Sequence, residues 1–127
     1  MSTIKVDAVE PRTTSSTITI GAAASNITAL TSATTITIDF NDNNNFSVTL
    51  GHNATFANPS NPTAGQTGSI FITQDGTGSR TASWGSNWDF IGGSAPTLTT
   101  TASAIDRIDY VIVDSSNIQA VATLNYS

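Results

Sequence analysis

Apolar and polar residues alternate along Gly68–Phe90, the stretch that holds the largest aromatic side chains of the chain. Successive side chains of a strand point to opposite faces, so Ile70 and Ile72 share one face of a predicted strand. Gly76–Gly78 supplies the glycines that a tight connection needs, and Arg80–Trp84 alternates again beyond it. The pattern predicts a β-hairpin, followed by a loop that carries the second tryptophan.

Two further pairs of alternating segments predict two further hairpins. The first joins Thr35–Phe40 to Phe46–Leu50 across a run of Asn and Asp, residues that tolerate left-handed backbone and favour turns. The second joins Arg107–Val113 to Ile118–Asn125 through a turn at Asp114–Asn117. Because the segment before this turn is almost continuously apolar, it is predicted to be a strand covered on both faces.

Three hairpins at fairly even spacing predict an all-β fold, a single antiparallel β-sandwich or jelly-roll-like domain over residues 35–127. Gly51–Gln66 contains two prolines and a glycine, so we expect a long surface loop with Phe56 turned inward. No segment has a convincing helical stripe. The predicted core residues are Ile36, Ile38, Val48, Ile70, Ile72, Trp84, Ile108, Tyr110 and Leu124.

Residues 1–34 form a distinct opening segment, in which Ile4, Val6, Ile18 and Ile20, here called the arm residues, alternate with polar neighbours. The stretch that follows them is rich in small side chains and buries too little apolar surface to offset its ordering entropy. The sequence predicts an extended N-terminal arm that becomes ordered against the main domain or against a neighbouring subunit. A flexible terminus is the alternative interpretation.

Composition narrows the classes of function. The chain has 127 residues, enough for one domain, with 38% hydrophobic and only 10% charged residues. Its net charge is -5 and its four basic residues are scattered, which excludes nucleic-acid and polybasic membrane-surface sites. No apolar run approaches the roughly 20 residues of a membrane span, and the first residues lack the apolar core of a signal peptide. The lack of cysteine excludes disulfides and thiolate metal sites.

Two segments invite a chemical interpretation, and for both the sequence favours a structural one. The acidic loop that begins at Asp39 has Asn44 and Leu50 where an EF-hand calcium loop has Gly and Glu. A solvated turn is therefore favoured over a non-standard oxygen-ligand site. His52 is the single histidine, and the sequence offers no nucleophile motif for it to serve.

Asp106 and Asp109 flank Arg107 on a predicted strand. Pairing of these carboxylates with Arg107 is favoured over catalysis, because a carbohydrate-degrading enzyme needs two acids that converge in a cleft. We predict no catalytic residue, no cofactor and no metal ligand.

The two tryptophans have two interpretations each. Packing in the core is favoured for Trp84, and less strongly for Trp88, which lies in a predicted loop. The alternative is a carbohydrate-stacking platform in which Trp88 is flanked by Asn87 and Asp89.

Five segments together carry a resemblance, namely Asn61–Gly68, Ile70–Phe90, Gly92–Thr99, Ala104–Tyr110 and Ala120–Leu124. They resemble a module that recurs in virion structural proteins of tailed bacteriophages, including tail fibres. The opening Ile4–Asp7 and Glu10–Arg12 are similar to leader segments of the same proteins. The resemblance covers residues 46–127 well and residues 1–20 loosely.

The resemblance implies a non-enzymatic virion structural protein. Fibres usually carry this module at the end of a longer shaft, for which 127 residues leave no room, so we expect a capsid decoration (cement) protein. It would form homotrimers, bind the major capsid protein or other virion proteins through the arm residues, and lie on the outer surface of the virion after assembly in the host cytoplasm. The alternative is a short tail fibre or fibre tip that binds host-surface glycan through Asn87, Trp88 and Asp89.

Overall fold

The structure is a computed structural model that describes residue 22 and residues 24–127. In this part of the chain, the regular structure consists of strands and one 3₁₀ turn, Ile91–Gly93, and no helix is long and apolar enough to cross a membrane. The strands are β1 (Ile27–Ala29), β2 (Thr35–Ile36), β3 (Asn45–Leu50), β4 (Ala54–Phe56), β5 (Thr67–Gln74), β6 (Ala82–Trp84), β7 (Trp88–Phe90), β8 (Ile105–Asp114) and β9 (Asn117–Tyr126).

Strands β1 to β6 alternate between two sheets, so that the chain winds as a coil. β1, β3 and β5 lie side by side in parallel in the larger sheet, and β2, β4 and β6 do the same in the smaller sheet. A tight hairpin cannot join parallel neighbours, and here each return passes through the opposite sheet. The all-β character predicted from the sequence is confirmed.

The larger sheet continues beyond the coil in a different way. β5 pairs antiparallel with β8, β8 pairs antiparallel with β9, and β7 lies parallel to β9 at the far edge. The predicted hairpin with its turn at Asp114–Asn117 is confirmed, and the Asp114 carboxylate accepts a hydrogen bond from the Ser116 N–H at 2.8 Å. The six strands of this sheet follow the order β1-β3-β5-β8-β9-β7.

The other two predicted hairpins are wrong, and with them the purely antiparallel sandwich. β2 and β3 lie in different sheets, and so do β5 and β6. The Asn-rich and Gly-rich segments between them turn the chain as expected, but they carry it across the core to the facing sheet. Gly51–Gln66 is also more than a loop, since it contains β4. Alternation identifies a strand and its buried face, but the neighbour that the strand pairs with depends on the rest of the chain.

The core lies between the two sheets and contains seven of the nine residues predicted for it. Trp84 is half-buried, and Leu124 is wrong, because 44% of it is exposed. Between the pairs Arg107–Thr123 and Ile105–Tyr126, β9 has one residue more than β8, a β-bulge in which Asn125 has a φ of 60°. Leu124 lies within this bulge, and the regular inward alternation of β9 stops after Ala122.

An aromatic cluster fills the core where the coil meets the C-terminal strands. The rings of Phe56 and Trp84 stack with centroids 4.5 Å apart, and Trp88 meets Trp84 edge-on at 5.2 Å. The Tyr110 ring lies 5.0 Å from that of Phe40, its hydroxyl donates to a main-chain carbonyl, and burial raises its pKa. Such aromatic pairs contribute about 0.5–1.5 kcal/mol each beyond the area they bury.

Candidate functional site

The predicted arm is only partly within the described residues. The arm residues Ile4, Val6, Ile18 and Ile20 lie outside them. Of the remainder, β1 already belongs to the larger sheet, where it pairs with β3, and the Leu30 N–H donates to the Ser47 carbonyl at 2.7 Å. The β-domain therefore extends N-terminally of the predicted boundary at residue 35.

Trp88 does not have the surface position that a sugar-stacking platform requires. Only 6% of it is exposed, and its indole N–H donates to the Ala57 carbonyl at 3.1 Å. β7, which carries it, pairs with β9 and so holds the ring against the core. The sequence suggested a loop here because three residues are too few for a visible alternation. For Trp88 the core interpretation is confirmed, and stacking of its ring faces on a glycan is wrong.

The two neighbours of Trp88 point to different surroundings. Asn87 is a connecting residue, since its N–H donates to the Asn58 side chain at 2.9 Å and its side chain donates to the Ser115 carbonyl at 3.4 Å. Asp89 is exposed on β7 and pairs in register with Gln119. The three residues Asn87, Trp88 and Asp89 thus do not converge on one ligand-sized surface.

The carboxylates of β8 are structural and lie on opposite faces of the strand. Asp106 is buried and accepts hydrogen bonds from two main-chain N–H groups, those of Thr99 (2.7 Å) and Asn125 (2.8 Å). Asp109 is on the outer face, where it pairs with Arg107 at 3.0 Å as predicted. Asp106 does not take part in that pair, because residues three apart along a strand point to opposite sides.

The corner between β5 and β6 is held by a side-chain network that sequence reasoning missed. The buried Gln74 amide accepts from the Arg80 N–H and donates to the Arg80 carbonyl, both at 2.9 Å. Asp75 accepts from the Thr77 and Gly78 N–H groups and pairs with the Arg80 guanidinium at 2.7 Å. The hydrogen bond from Arg80 lowers the pKa of Asp75. The feature of the sequence that could have revealed this network is a Gln at the end of an apolar strand.

The Asp39 loop and His52 have structural contacts. Asp39 accepts hydrogen bonds from the Asn61 side chain and the Asn41 N–H, both at 2.9 Å, and these bonds lower its pKa. His52 Nδ1 lies 3.0 Å from the Ser32 hydroxyl at an exposed site. In the part of the chain that the structure describes, no three His, Cys, Asp or Glu side chains are grouped as metal ligands.

A groove of about 450 Å³ runs along the outer edge of β6, between that strand and the extended segment at residues 95–100. We call it the β6 groove. The half-buried Trp84 lines it together with Arg80, Ser83 and Leu98. Its walls offer one guanidinium, hydroxyl groups and part of an indole, and no pair of acids.

The second surface feature is apolar and lies on the outer face of the larger sheet. Ile91 (82% exposed), Val111 (47%) and Val121 (45%) line a hollow of about 290 Å³, and we call these three residues the outer patch. The strand that contains Val111 was predicted to be covered on both faces, which is wrong for this chain alone. Exposed apolar groups that adjoin one another commonly mark an interaction surface.

Comparison of the chain with protein-family models, with curated proteins and with solved structures finds no match in any of the three.

Proposed function

We propose that the chain is a non-enzymatic structural protein of a tailed-phage virion, which decorates the head shell as a homotrimer. The residues between 46 and 127 that resemble the virion module support the assignment to a phage particle. The outer patch is the structural observation that carries the proposal, because a decoration protein needs a surface for lasting contact with copies of itself or with the shell.

The chemistry of the described side chains agrees with a structural role. Asp106 and Asp75 bind main-chain N–H groups, and Asp109 pairs with Arg107 on an open strand face. Catalysis by paired carboxylates requires two acids that face one reacting bond at roughly 5–9.5 Å. Here the carboxylates hold loops and strand ends in place.

The outer patch suits association about a symmetry axis. In a closed trimer every subunit repeats the same contacts, so an apolar patch that lies near the threefold axis is buried in all three subunits. Val111 and Val121 belong to neighbouring strands of the same sheet, and Ile91 adjoins them at the end of β7. Burial of such side chains contributes about 25 cal/mol per Å² of apolar surface removed from water.

Sedimentation equilibrium of the full chain tests the trimer. We expect the wild type to be trimeric and Val121→Lys to be monomeric, since a lysine would place a charge in the buried contact. Thr49→Lys is the matched control: Thr49 is exposed on the outer face of β3 in the same sheet, away from the outer patch, and this variant should stay trimeric.

A monomeric wild type would contradict the trimer. Localisation of the chain in a density map of the intact virion tests the decoration role, and a position on the tail would contradict it.

Glycan binding at a fibre tip is the second candidate, and the β6 groove is the observation that favours it. The buried position of Trp88 removes the stacking surface first considered, whereas Trp84 lines an open groove that also has hydroxyl groups. Binding of the wild type on a glycan array, lost in Ala95→Trp, which would fill the groove, would favour this candidate over the decoration role.

A further inference from the structure

The outer edge of β2 presents main-chain hydrogen-bonding groups with which a further parallel strand could pair. Toward β4, the carbonyls of Thr34, Ile36 and Ile38 accept hydrogen bonds at 2.8–2.9 Å from main-chain N–H groups of β4 and of the residues that follow it. In a parallel ladder, alternate residues direct their main-chain groups to opposite sides. The N–H and C=O groups of Thr35 and Thr37 therefore point away from β4, and within residues 24–127 nothing pairs with them.

The residues that precede the described region repeat the sequence of this edge. Residues 16–20 read STITI and residues 34–38 read TTITI, with four of the five positions identical. The two segments are offset by 18 residues. The same offset of 18 separates Ile27 from its partner Asn45, so it is the length of one turn of the coil as measured between β1 and β3.

The connecting segments also agree in length. The six residues 39–44 lead from the repeat at residues 34–38 to β3 in the larger sheet. The six residues 21–26 stand between the repeat at residues 16–20 and β1, which lies beside β3 in that sheet. A chain that crosses from the smaller sheet to the larger in six residues at one turn can do so at the turn before.

The side chains match the two columns that already run across the smaller sheet. On its inner side, Ile36, Phe56 and Trp84 are in register, and an added strand would place Ile18 next to Ile36. On its outer side the column is Thr35, Thr55 and Ser83, in which the last two hydroxyls lie 2.8 Å apart, and Thr17 would extend it. A one-residue shift would expose both isoleucines of residues 16–20, which sets the register.

We propose that residues 16–20 of the same chain form a further parallel strand of the smaller sheet, paired in register with residues 34–38. This strand completes a turn of the coil N-terminal to β1 and covers the edge of β2. The proposal is independent of the virion role. It divides the arm residues, since Ile18 and Ile20 then belong to the domain and only Ile4 and Val6 remain for contact with a partner.

An engineered disulfide tests the pairing, because the chain has no cysteine of its own. Adjacent strands lie about 4.8 Å apart, within the Cα separation that a disulfide spans. Thr17→Cys with Thr35→Cys should oxidise to a disulfide within one chain, seen as a monomer of altered mobility and a peptide cross-link. Thr17→Cys with Thr49→Cys is the control and should not cross-link, since Thr49 faces solvent from the larger sheet.

Mixing the two single-cysteine variants separates this arrangement from strand exchange. A disulfide that forms only between chains would overturn the proposal in favour of exchange with a second copy. If no disulfide forms in either experiment, the proposal is equally overturned.

Amide hydrogen exchange gives a readout without cysteines. In the full chain, the Thr35 and Thr37 amides should exchange at least roughly tenfold more slowly than in Ile18→Asp, whose buried charge would detach the strand. The Ile36 amide faces β4 and should be protected in both proteins, which controls for unfolding of the domain. Equal exchange at Thr35 and Thr37 in the two proteins would overturn the proposal.

Discussion

The coil, β1 to β6, and the C-terminal hairpin, β8 and β9, share one core but are connected in opposite ways. In the coil every strand pairs with strands that lie a whole turn away in sequence, such as Phe46 with Ile70. In the hairpin, Ile112 and Ile118 pair across a turn of two residues. The hairpin thus depends on a local turn, whereas the coil depends on contacts that only the assembled turns provide.

The outer faces of the two regions differ as much as their connections. The outer face of the coil presents hydroxyl side chains such as Ser47, Thr49 and Ser69, with Ile27 and Phe71 apart from each other on the non-adjacent strands β1 and β5. The hairpin instead presents Val111 and Val121 side by side on adjacent strands. A strand with a polar outer face needs no further partner on that face once its inner face is buried. The apolar outer face of the hairpin is what assigns the association surface to this end of the molecule.

The largest expected effect is at Gly68, where the coil and the hairpin touch. A Cβ at this position would lie 1.8 Å from the Asn44 carbonyl oxygen and 2.7 Å from the Tyr110 hydroxyl. Gly68→Ala must therefore push β5 away from the loop before β3, and we expect it to lower the free energy of unfolding by about 3 kcal/mol. Urea denaturation measures the change.

Gly76→Ala is the control for this substitution. Gly76 lies in the corner between β5 and β6, where an added Cβ would meet nothing within 4 Å, and its φ is outside the left-handed region. Its stability should change by less than about 1 kcal/mol. Equal losses in the two variants would mean that the close approach at Gly68 is not what joins coil and hairpin.

The sequence predicts the strands of both regions but the pairing of only one. A two-residue turn between alternating segments, as at Asp114–Asn117, constrains the next strand to lie beside the last one. The Asn-rich segment before β3 and the Asp75–Gly78 corner have the same kinds of residues, yet they lead to the opposite sheet. Whether a turn folds back or crosses over depends on which distant strand is available for pairing, and alternation does not contain that information.

The candidate site shows the same limit. Short strands such as β7 have too few residues to display a period, so the sequence placed Trp88 in a loop when it lies in the core. Leu124 was assigned to the core because alternation cannot reveal the extra residue of the β-bulge before Tyr126. The outer patch was also missed, since a buried strand and a strand that awaits a partner have the same apolar sequence.

A smaller loss of unfolding free energy is expected for substitution of Asp106, whose hydrogen bonds connect the hairpin to the segment before β8. Its carboxylate accepts the Asn125 N–H in β9 and the Thr99 N–H in the segment that precedes β8. Asp106→Asn keeps one acceptor oxygen and turns an NH₂ group toward the other donor, so we expect a loss of about 2 kcal/mol in unfolding free energy. Asp109→Asn, on the exposed face of the same strand, should cost less than about 1 kcal/mol. If the two losses are alike, the buried hydrogen bonds do not fasten the hairpin.

The smallest effect is expected at the coil corner, where it depends on pH. The pKa of Asp75 is lowered in the folded protein by its hydrogen bond from Arg80 and by hydrogen bonds from two main-chain N–H groups. These bonds favour the ionised carboxylate, and they are absent in the unfolded state. The resulting stability is fully present above the ordinary carboxyl pKa of about 3.9 and is lost as the pH falls through the lowered value. Wild type should therefore exceed Asp75→Asn in stability at pH 6, and the difference should shrink toward pH 2.

Asp89→Asn provides the comparison for this titration. Asp89 is exposed on β7 and lies outside the coil corner, so Asp89→Asn removes the same formal charge and leaves the contact between Asp75 and Arg80 in place. Urea midpoints at pH 6, 4 and 2 for the three proteins measure both effects. A stability difference between wild type and Asp75→Asn that is the same at all three pH values would show that the charge of the carboxylate does not stabilise the corner. The corner would then be stabilised by the uncharged Gln74 contacts alone.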